Sequence, residues 1–271
     1  MNPLEGLLRF TGAVARPGLS LLKGWAPWLS LTLLAVLAGL GMLWTVRRFT
    51  DQAALRATKR RLRAHVYELR LFADEPVLLW RAQWRLLRDN LRYLGLMLRP
   101  ALVLALPMLF LLMQLDCFYG RAPLPVGQAA VVTVQMKGTL GLPELQAPAG
   151  IVVETPAVRV ESERQLSWRV RPLREVSGRL RIVFPNGSFE KAIEAGQGPR
   201  YVSARRVSSL AELFAHAGEP RLPAGELAWI EVRYPWAGVR VWGLQFHWLV
   251  WFVLVALAAT WVLKKRLRVT L

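Results

Sequence analysis

Three apolar blocks, separated by charged and alternating stretches, organise this chain: Pro27–Val46, Ala101–Asp116 and Leu244–Leu263. A helix of about 20 residues covers the roughly 30 Å of bilayer hydrocarbon, so the first and third blocks have spanning length. The middle block is shorter, but it extends back through Leu94-Gly95-Leu96-Met97-Leu98 to Arg99, whose side chain can snorkel to the interface. Trp44-Thr45-Val46 before Arg47 is no small-residue cleavage site, so the first block reads as a retained anchor. The pattern predicts transmembrane helices at 27–46, 100–117 and 244–263.

Between the first two blocks, 47–99, the apolar period becomes helical. Thr50 or Asp51 can cap a helix that runs to about Phe72 with Leu55, Leu62, Val66 and Leu69 on one side. Ala73-Asp74-Glu75-Pro76 ends it and starts another, with Pro early and acids near the positive end of the dipole. The second helix carries Trp80, Trp84, Leu87, Leu91 and Leu94 on one stripe and Arg81, Arg85, Arg88 and Arg92 on another. A helical hairpin follows, its apolar stripe packed on Leu55, Leu62, Val66 and Leu69, and its second arm running almost straight into the middle block.

From 118 to 243 the period changes to two. Ala130, Val132, Val134 and Met136 alternate with polar or half-polar neighbours, as do Leu166, Trp168 and Val170, and Leu180, Ile182 and Phe184. These are half-buried strands. Pro185-Asn186-Gly187 marks a tight hairpin, Ser209-x-x-Glu212 opens one short helix, and Ala228–Tyr234 is a last strand. About seven short strands predict a β-sandwich-like domain. Residues 1–26 have a weak amphipathic pattern and read as interfacial. The expected fold class is therefore a membrane α-helical protein, three transmembrane helices with a cytosolic helical hairpin, plus an extracytoplasmic all-β domain.

Charge sets the orientation. The net charge is +18, yet the basic residues cluster at the ends of the apolar blocks: 13 Lys/Arg against 5 Asp/Glu between Arg47 and Arg99, and Lys264-Lys265-Arg266-Leu267-Arg268 in the tail 264–271. The positive-inside rule places both clusters in the cytosol, with the N-terminus and the β domain outside and the C-terminus inside. Anionic lipid is the partner this distribution suggests, and DNA is not expected. Arginine greatly outnumbers lysine, a composition of GC-rich bacteria, so the expected location is a bacterial inner (cytoplasmic) membrane. Cys117 is the single cysteine, which leaves no intramolecular disulfide.

No catalytic constellation emerges. His65, His216 and His247 fall in three different compartments, and there is no HExxH, CxxC, P-loop, GxSxG or Gly-rich dinucleotide motif. Glu161 and Glu163 have the spacing of a solvated strand edge. The expectation is a protein that is not an enzyme, with no cofactor, no metal and no catalytic residue. The polar residues at membrane depth are better candidates: Gln114 and Asp116 end the second block, and Gln245 and His247 begin the third. Asp116 and His247 are expected at the interface, solvated or paired to each other. Pro107 can free backbone carbonyls of the second span. The basic, aromatic-bearing hairpin suits lipid, ribosomal RNA or an incoming hydrophobic polypeptide, through Arg81, Arg85, Arg88 and Arg92.

A span with an outside N-terminus, then a basic cytosolic hairpin, then a second span resembles the YidC/Oxa insertase superfamily, most of all its three-span branch. The matching stretch is Pro27–Leu115, with Gln245–Leu263 as third span. The resemblance implies spans that enclose a lipid-open hydrophilic groove and a hairpin that helps receive a substrate segment. Family insertases often carry a positive residue inside the groove, whereas here no Arg or Lys lies within the apolar cores. The function expected is a non-enzymatic, insertase-like membrane factor or an accessory subunit of a membrane-protein biogenesis complex. Its partners would be other membrane proteins or hydrophobic client segments, with a possible ribosome contact. The alternative is a membrane-anchored β-sandwich adaptor or a structural subunit of a larger membrane transport complex.

Overall fold

The computed structural model describes residues 6, 17–19, 21, 24–49, 52–71, 76–138, 143–185, 187–213, 215–216, 218–223 and 225–266. The caps expected at Thr50 and Asp51, the turn at 73–75, and Asn186 lie outside them. The helices are α1 (Pro27–Phe49), α2 (Gln52–Leu71), α3 (Pro76–Leu115), the short α4 (Leu210–Leu213) and α5 (Trp248–Arg266). Two helical stretches are long and apolar enough to cross a membrane: Pro27–Phe49, with mean hydropathy 2.0, and Gln83–Gly120, with 2.2. Trp248–Lys264 is a shorter apolar helix. The chain divides into two compact units, Met1–Ser30 with Phe110–Val250, and Leu31–Leu109 with Trp251–Leu271.

In the second of these units, α1 buries one face. Leu31, Ala35 and Leu43 are fully buried and Val46 nearly so, a spacing of four, eight and three residues that follows one side of a helix. Gly39 completes that face. A Cβ placed there would lie 2.9 Å from the backbone oxygen of Ala256 and 3.3 Å from Thr260 Oγ1. Small residues thus let α1 and α5 approach backbone to backbone, the device by which apolar helices associate without a hydrophobic driving force. Leu43 and Val46 pack with Leu263, and Trp251 Nε1 donates to Thr32 Oγ1 at 2.9 Å.

The second hairpin arm and the middle apolar block form one helix. α3 runs through Pro100 and Pro107 for 40 residues, about 60 Å at the helical rise. The expected boundary at Arg99-Pro100 is not a break in structure, as the continuous pattern had suggested.

In the other unit the strands are β1 (Ala130–Met136), β2 (Glu144–Gln146), β3 (Ile151–Val153), β4 (Val158–Val160), β5 (Gln165–Pro172), β6 (Val176–Phe184), β7 (Gly187–Ala195), β8 (Arg205–Val207), β9 (Leu227–Val232), β10 (Gly238–Val241) and β11 (Leu244–His247). A six-stranded sheet has the order β3-β5-β1-β9-β8, with β4 also on β5; a three-stranded sheet has β2-β6-β7. Both bury their inner faces in one core: Val132, Val134, Leu166, Trp168, Ile230 and Val232 meet Leu145, Leu180, Ile182 and Ile193. The alternation read from β1, β5 and β6 is the alternation that is buried. β6 and β7 pair antiparallel as the expected hairpin arms, in a register that ends at Phe184↔Gly187.

The outer edge of β7 is sealed by side chains. Ala192 N donates to Glu219 Oε1 at 2.7 Å, Glu194 N to the Tyr234 hydroxyl at 3.1 Å, and Arg206 Nη1 to the Glu190 carbonyl. Backbone groups that would template another strand are thereby occupied.

The third predicted span needs correction at its start. Leu244–His247 is not helix but β11, paired with β10 across a turn at Trp242-Gly243. Leu244 and Phe246 alternate with Gln245 and His247. Over these four residues period two outweighs hydrophobicity, and the helix begins at Trp248.

Candidate functional site

The half of α3 that precedes Pro100 carries two adjacent stripes. Arg81, Arg85, Arg88 and Arg92 are all exposed and make no ion pair among the described residues. Beside them, Trp80 (63%), Trp84 (56%), Leu87 (46%), Leu91 (60%) and Leu94 (59%) are exposed as well. The expected packing of this apolar stripe on α2 is therefore not what forms. Leu55, Val66 and Leu69 have side chains outside those described, and Leu62 is half-buried.

The half-buried positions of α3 are instead Leu86, Asp89, Tyr93, Leu96 and Met97. Lys59 of α2 stands over the Tyr93 ring with Nζ 5.8 Å from its centroid, so this is the face turned to α2. The two faces lie roughly 150° apart around the helix, at about 100° per residue. Heptad spacing fits either face, and Tyr93 with its polar tip suits the rim of a basic hairpin better than two tryptophans. The apolar stripe continues unbroken through Leu98 (52%), Leu102 (62%), Leu106 (59%) and Leu109 (47%).

At its far end α3 gives way to a π-helical turn, Asp116–Gly120. This turn gathers the starts of the other two apolar helices. The Tyr119 hydroxyl donates to Ser30 Oγ at 2.8 Å, and Trp248 Nε1 donates to Asp116 Oδ1 at 3.2 Å. The four polar candidates named from the sequence are thus placed differently from one another. Gln114 is buried and its Oε1 accepts from the Tyr201 hydroxyl at 2.8 Å, while its Nε2 has no partner among the described residues. Asp116 is paired with Trp248 rather than His247. His247 caps α5, its Nδ1 accepting the Leu249 N–H at 3.2 Å, with its ring between Trp236 and Trp248. Gln245 is exposed on β11, opposite Arg240.

Sequence reasoning missed the buried charge of this unit. Lys191 on β7 is fully buried, and its Nζ donates to Glu219 Oε2 and the Ser203 carbonyl, both at 2.7 Å, and to the Ala192 carbonyl at 3.3 Å. Burial pushes its pKa below the ordinary lysine value, and Glu219 pulls it back. The only sequence signal was a lysine at an inward position of an alternating strand, Ile193 being the next inward residue.

Nearby, a cavity of about 310 Å³ is lined by Asp116, Cys117, Arg205, His216, Glu231 and Trp248 among others. Its charges are largely matched: Arg205 meets Glu231 through Nε at 3.1 Å and Nη2 at 2.5 Å, and lies over the Trp229 ring. His216 is held below the usual histidine range by burial and then by Arg205. Among the described residues no group of His, Cys, Asp or Glu is placed to hold a metal ion. The uncommitted chemistry lies on α3: four exposed guanidinium groups beside an uncovered apolar stripe.

Comparison with family models, with curated proteins and with solved structures finds no match to this chain.

Proposed function

We propose that this chain is a non-enzymatic integral membrane factor, insertase-like or an accessory subunit of a membrane-protein biogenesis complex. In this reading α1, the latter half of α3, and α5 span a bacterial inner membrane. The N-terminus and the β domain, with its sandwich-like layers, face out, and α2, the first half of α3 and the C-terminus face in. The observation that carries it is the uncovered apolar stripe from Trp80 to Leu109 on one unbroken helix. That is about 45 Å of docking surface. An apolar client segment laid on Trp80, Trp84, Leu87 and Leu91 outside the bilayer could follow the same stripe past Leu98 into it. No helix break interrupts the path. Arg81, Arg85, Arg88 and Arg92 border the entry, where each contact with anionic headgroups contributes on the order of 1 kcal/mol. The same edge is available to the ribosome, and the arrangement resembles the hairpin of the YidC/Oxa superfamily.

A photo-crosslinking side chain at Trp84 or Leu91 should capture a stalled nascent chain carrying an apolar segment. One at Asn90, on another face of α3, should not. Equal capture at all three positions, or none at any, would sink the reading. Orientation is tested separately with Ser188→Cys in a Cys117→Ser background, which an impermeant thiol reagent should label without permeabilising the inner membrane.

One feature favours the second reading, an adaptor or structural subunit. A cavity of about 540 Å³ on the β-domain unit is lined by Pro123, Pro125, Pro199, Pro235, Trp236 and others. A proline- and aromatic-lined cleft suits an extended peptide. Crosslinks from Trp236 to an extracytoplasmic protein, with none from Trp84, would favour it.

A further inference from the structure

The turn between β10 and β11 presents an aromatic side chain at a conformational cost. Trp242 is 97% exposed, more than any other large hydrophobic residue described. Its φ is +50°, and Gly243 follows at +87°. Positive φ at both central residues is the pattern of a type I′ hairpin turn, where Asn-Gly or Gly-Gly is the usual choice. A bulky side chain in the left-handed region is a true outlier. Among the described non-glycine residues only Arg164 shares it. Strained residues that persist on a surface point towards a function for the strained group.

The hairpin is firmly held while its tip is bare. Val239 and Val241 are buried, whereas Leu244, opposite Val241, is 64% exposed. Its base is tied to the level where the three apolar helices begin or end. Ala237 N donates to the Gly120 carbonyl at 3.2 Å, and the closing pair Gly238↔His247 directly precedes Trp248. At that level Tyr119 meets Ser30, and Asp116 meets Trp248. Trp25 (53%) and Trp236 (67%) are exposed in the same unit, just before α1 and β10. Tryptophans gathered where apolar helices start are the signature of a bilayer interface, because the indole ring is apolar in body and polar at its N–H.

We infer that the β10–β11 hairpin is an interfacial anchor that seats Trp242 and Leu244 among the headgroups of the extracytoplasmic leaflet. This rests on the membrane-spanning reading above. Lipid is the occupant the surroundings favour: the tip is four residues, about 13 Å, from the start of an apolar helix, and Arg240 beside it can meet a phosphate.

The test uses the full chain with Cys117→Ser, reconstituted in phosphatidylethanolamine–phosphatidylglycerol vesicles. A fluorophore is attached at Gln245→Cys, and at Leu106→Cys as a control on α3. Headgroup-region spin-labelled lipid should quench the position 245 label several-fold more than aqueous iodide does, and adding Trp242→Ser should reverse that preference. If iodide dominates at 245 while the 106 label is quenched from lipid, the anchor is refuted and the spanning reading stands. If the 106 label is also water-accessible, the spanning reading itself fails, and the anchor with it. Lipid quenching at 245 that ignores Trp242→Ser would overturn the role assigned to the tryptophan.

Discussion

Glu219→Ala should open the β-domain unit where it is stapled, and the lone cysteine reports that opening. Glu219 holds two groups at once, the Lys191 ammonium at 2.7 Å and the Ala192 N–H at 2.7 Å. Its neighbour Gly218 covers the thiol: a Cβ there would stand 3.1 Å from Cys117 Sγ and 2.6 Å from Ser203 Cβ. Losing the carboxylate leaves a buried ammonium without its counter-charge, which costs about 3–5 kcal/mol. At about 1.4 kcal/mol per tenfold, Cys117 should react with a soluble thiol reagent roughly 10²- to 4 × 10³-fold faster, provided the segment recloses faster than it is labelled. The double variant Lys191→Met, Glu219→Gln removes both charges but retains an acceptor for Ala192 N–H, and an apolar replacement of a buried pair is often neutral. Its labelling should return to within about tenfold of the parent. The assay is the labelling rate of the full chain in detergent micelles. A Glu219→Ala rate within about threefold of the parent, under 1 kcal/mol, would refute the claim that this pair holds the segment over Cys117.

Gly39→Leu should lower thermal stability in detergent, overpacking costing about 1–3 kcal/mol, because its Cβ meets the Ala256 backbone. Gly41→Leu, with nothing within 4 Å, should not. Changing Arg81, Arg85, Arg88 and Arg92 together to Gln should leave the fold intact, since exposed charges change stability by about 0.5 kcal/mol or less, yet weaken flotation with anionic vesicles; unchanged flotation would remove their proposed role. His216 has a folded pKa below its unfolded value of 6.5, so the unfolded chain binds the extra proton first. Stability is then retained above about pH 6.5 and lost as pH falls towards the folded value. Melting from pH 7.5 to 5 should show a smaller loss in His216→Gln than in the parent.

Periodicity made the elements legible. The apolar blocks, the two-residue alternation of β1, β5 and β6, and the pairing of β6 with β7 are local properties, set by side chains a few positions apart. The uninterrupted passage of α3 through Arg99-Pro100 was readable for the same reason. The face of α3 that meets α2 was not. Trp80-Trp84-Leu87-Leu91 and Leu86-Tyr93-Leu96 both satisfy a helical repeat, and only the partner helix decides which is covered. The start of α5 was likewise decided from outside, because Leu244–His247 gains ladder bonds from β10 that no hydropathy window includes. Lys191 and Glu219 are 28 residues apart, and Gly39 and Ala256 are on different helices. Charge pairing and close approach at such separations depend on where the chain returns in space, so they belong to the tertiary structure alone.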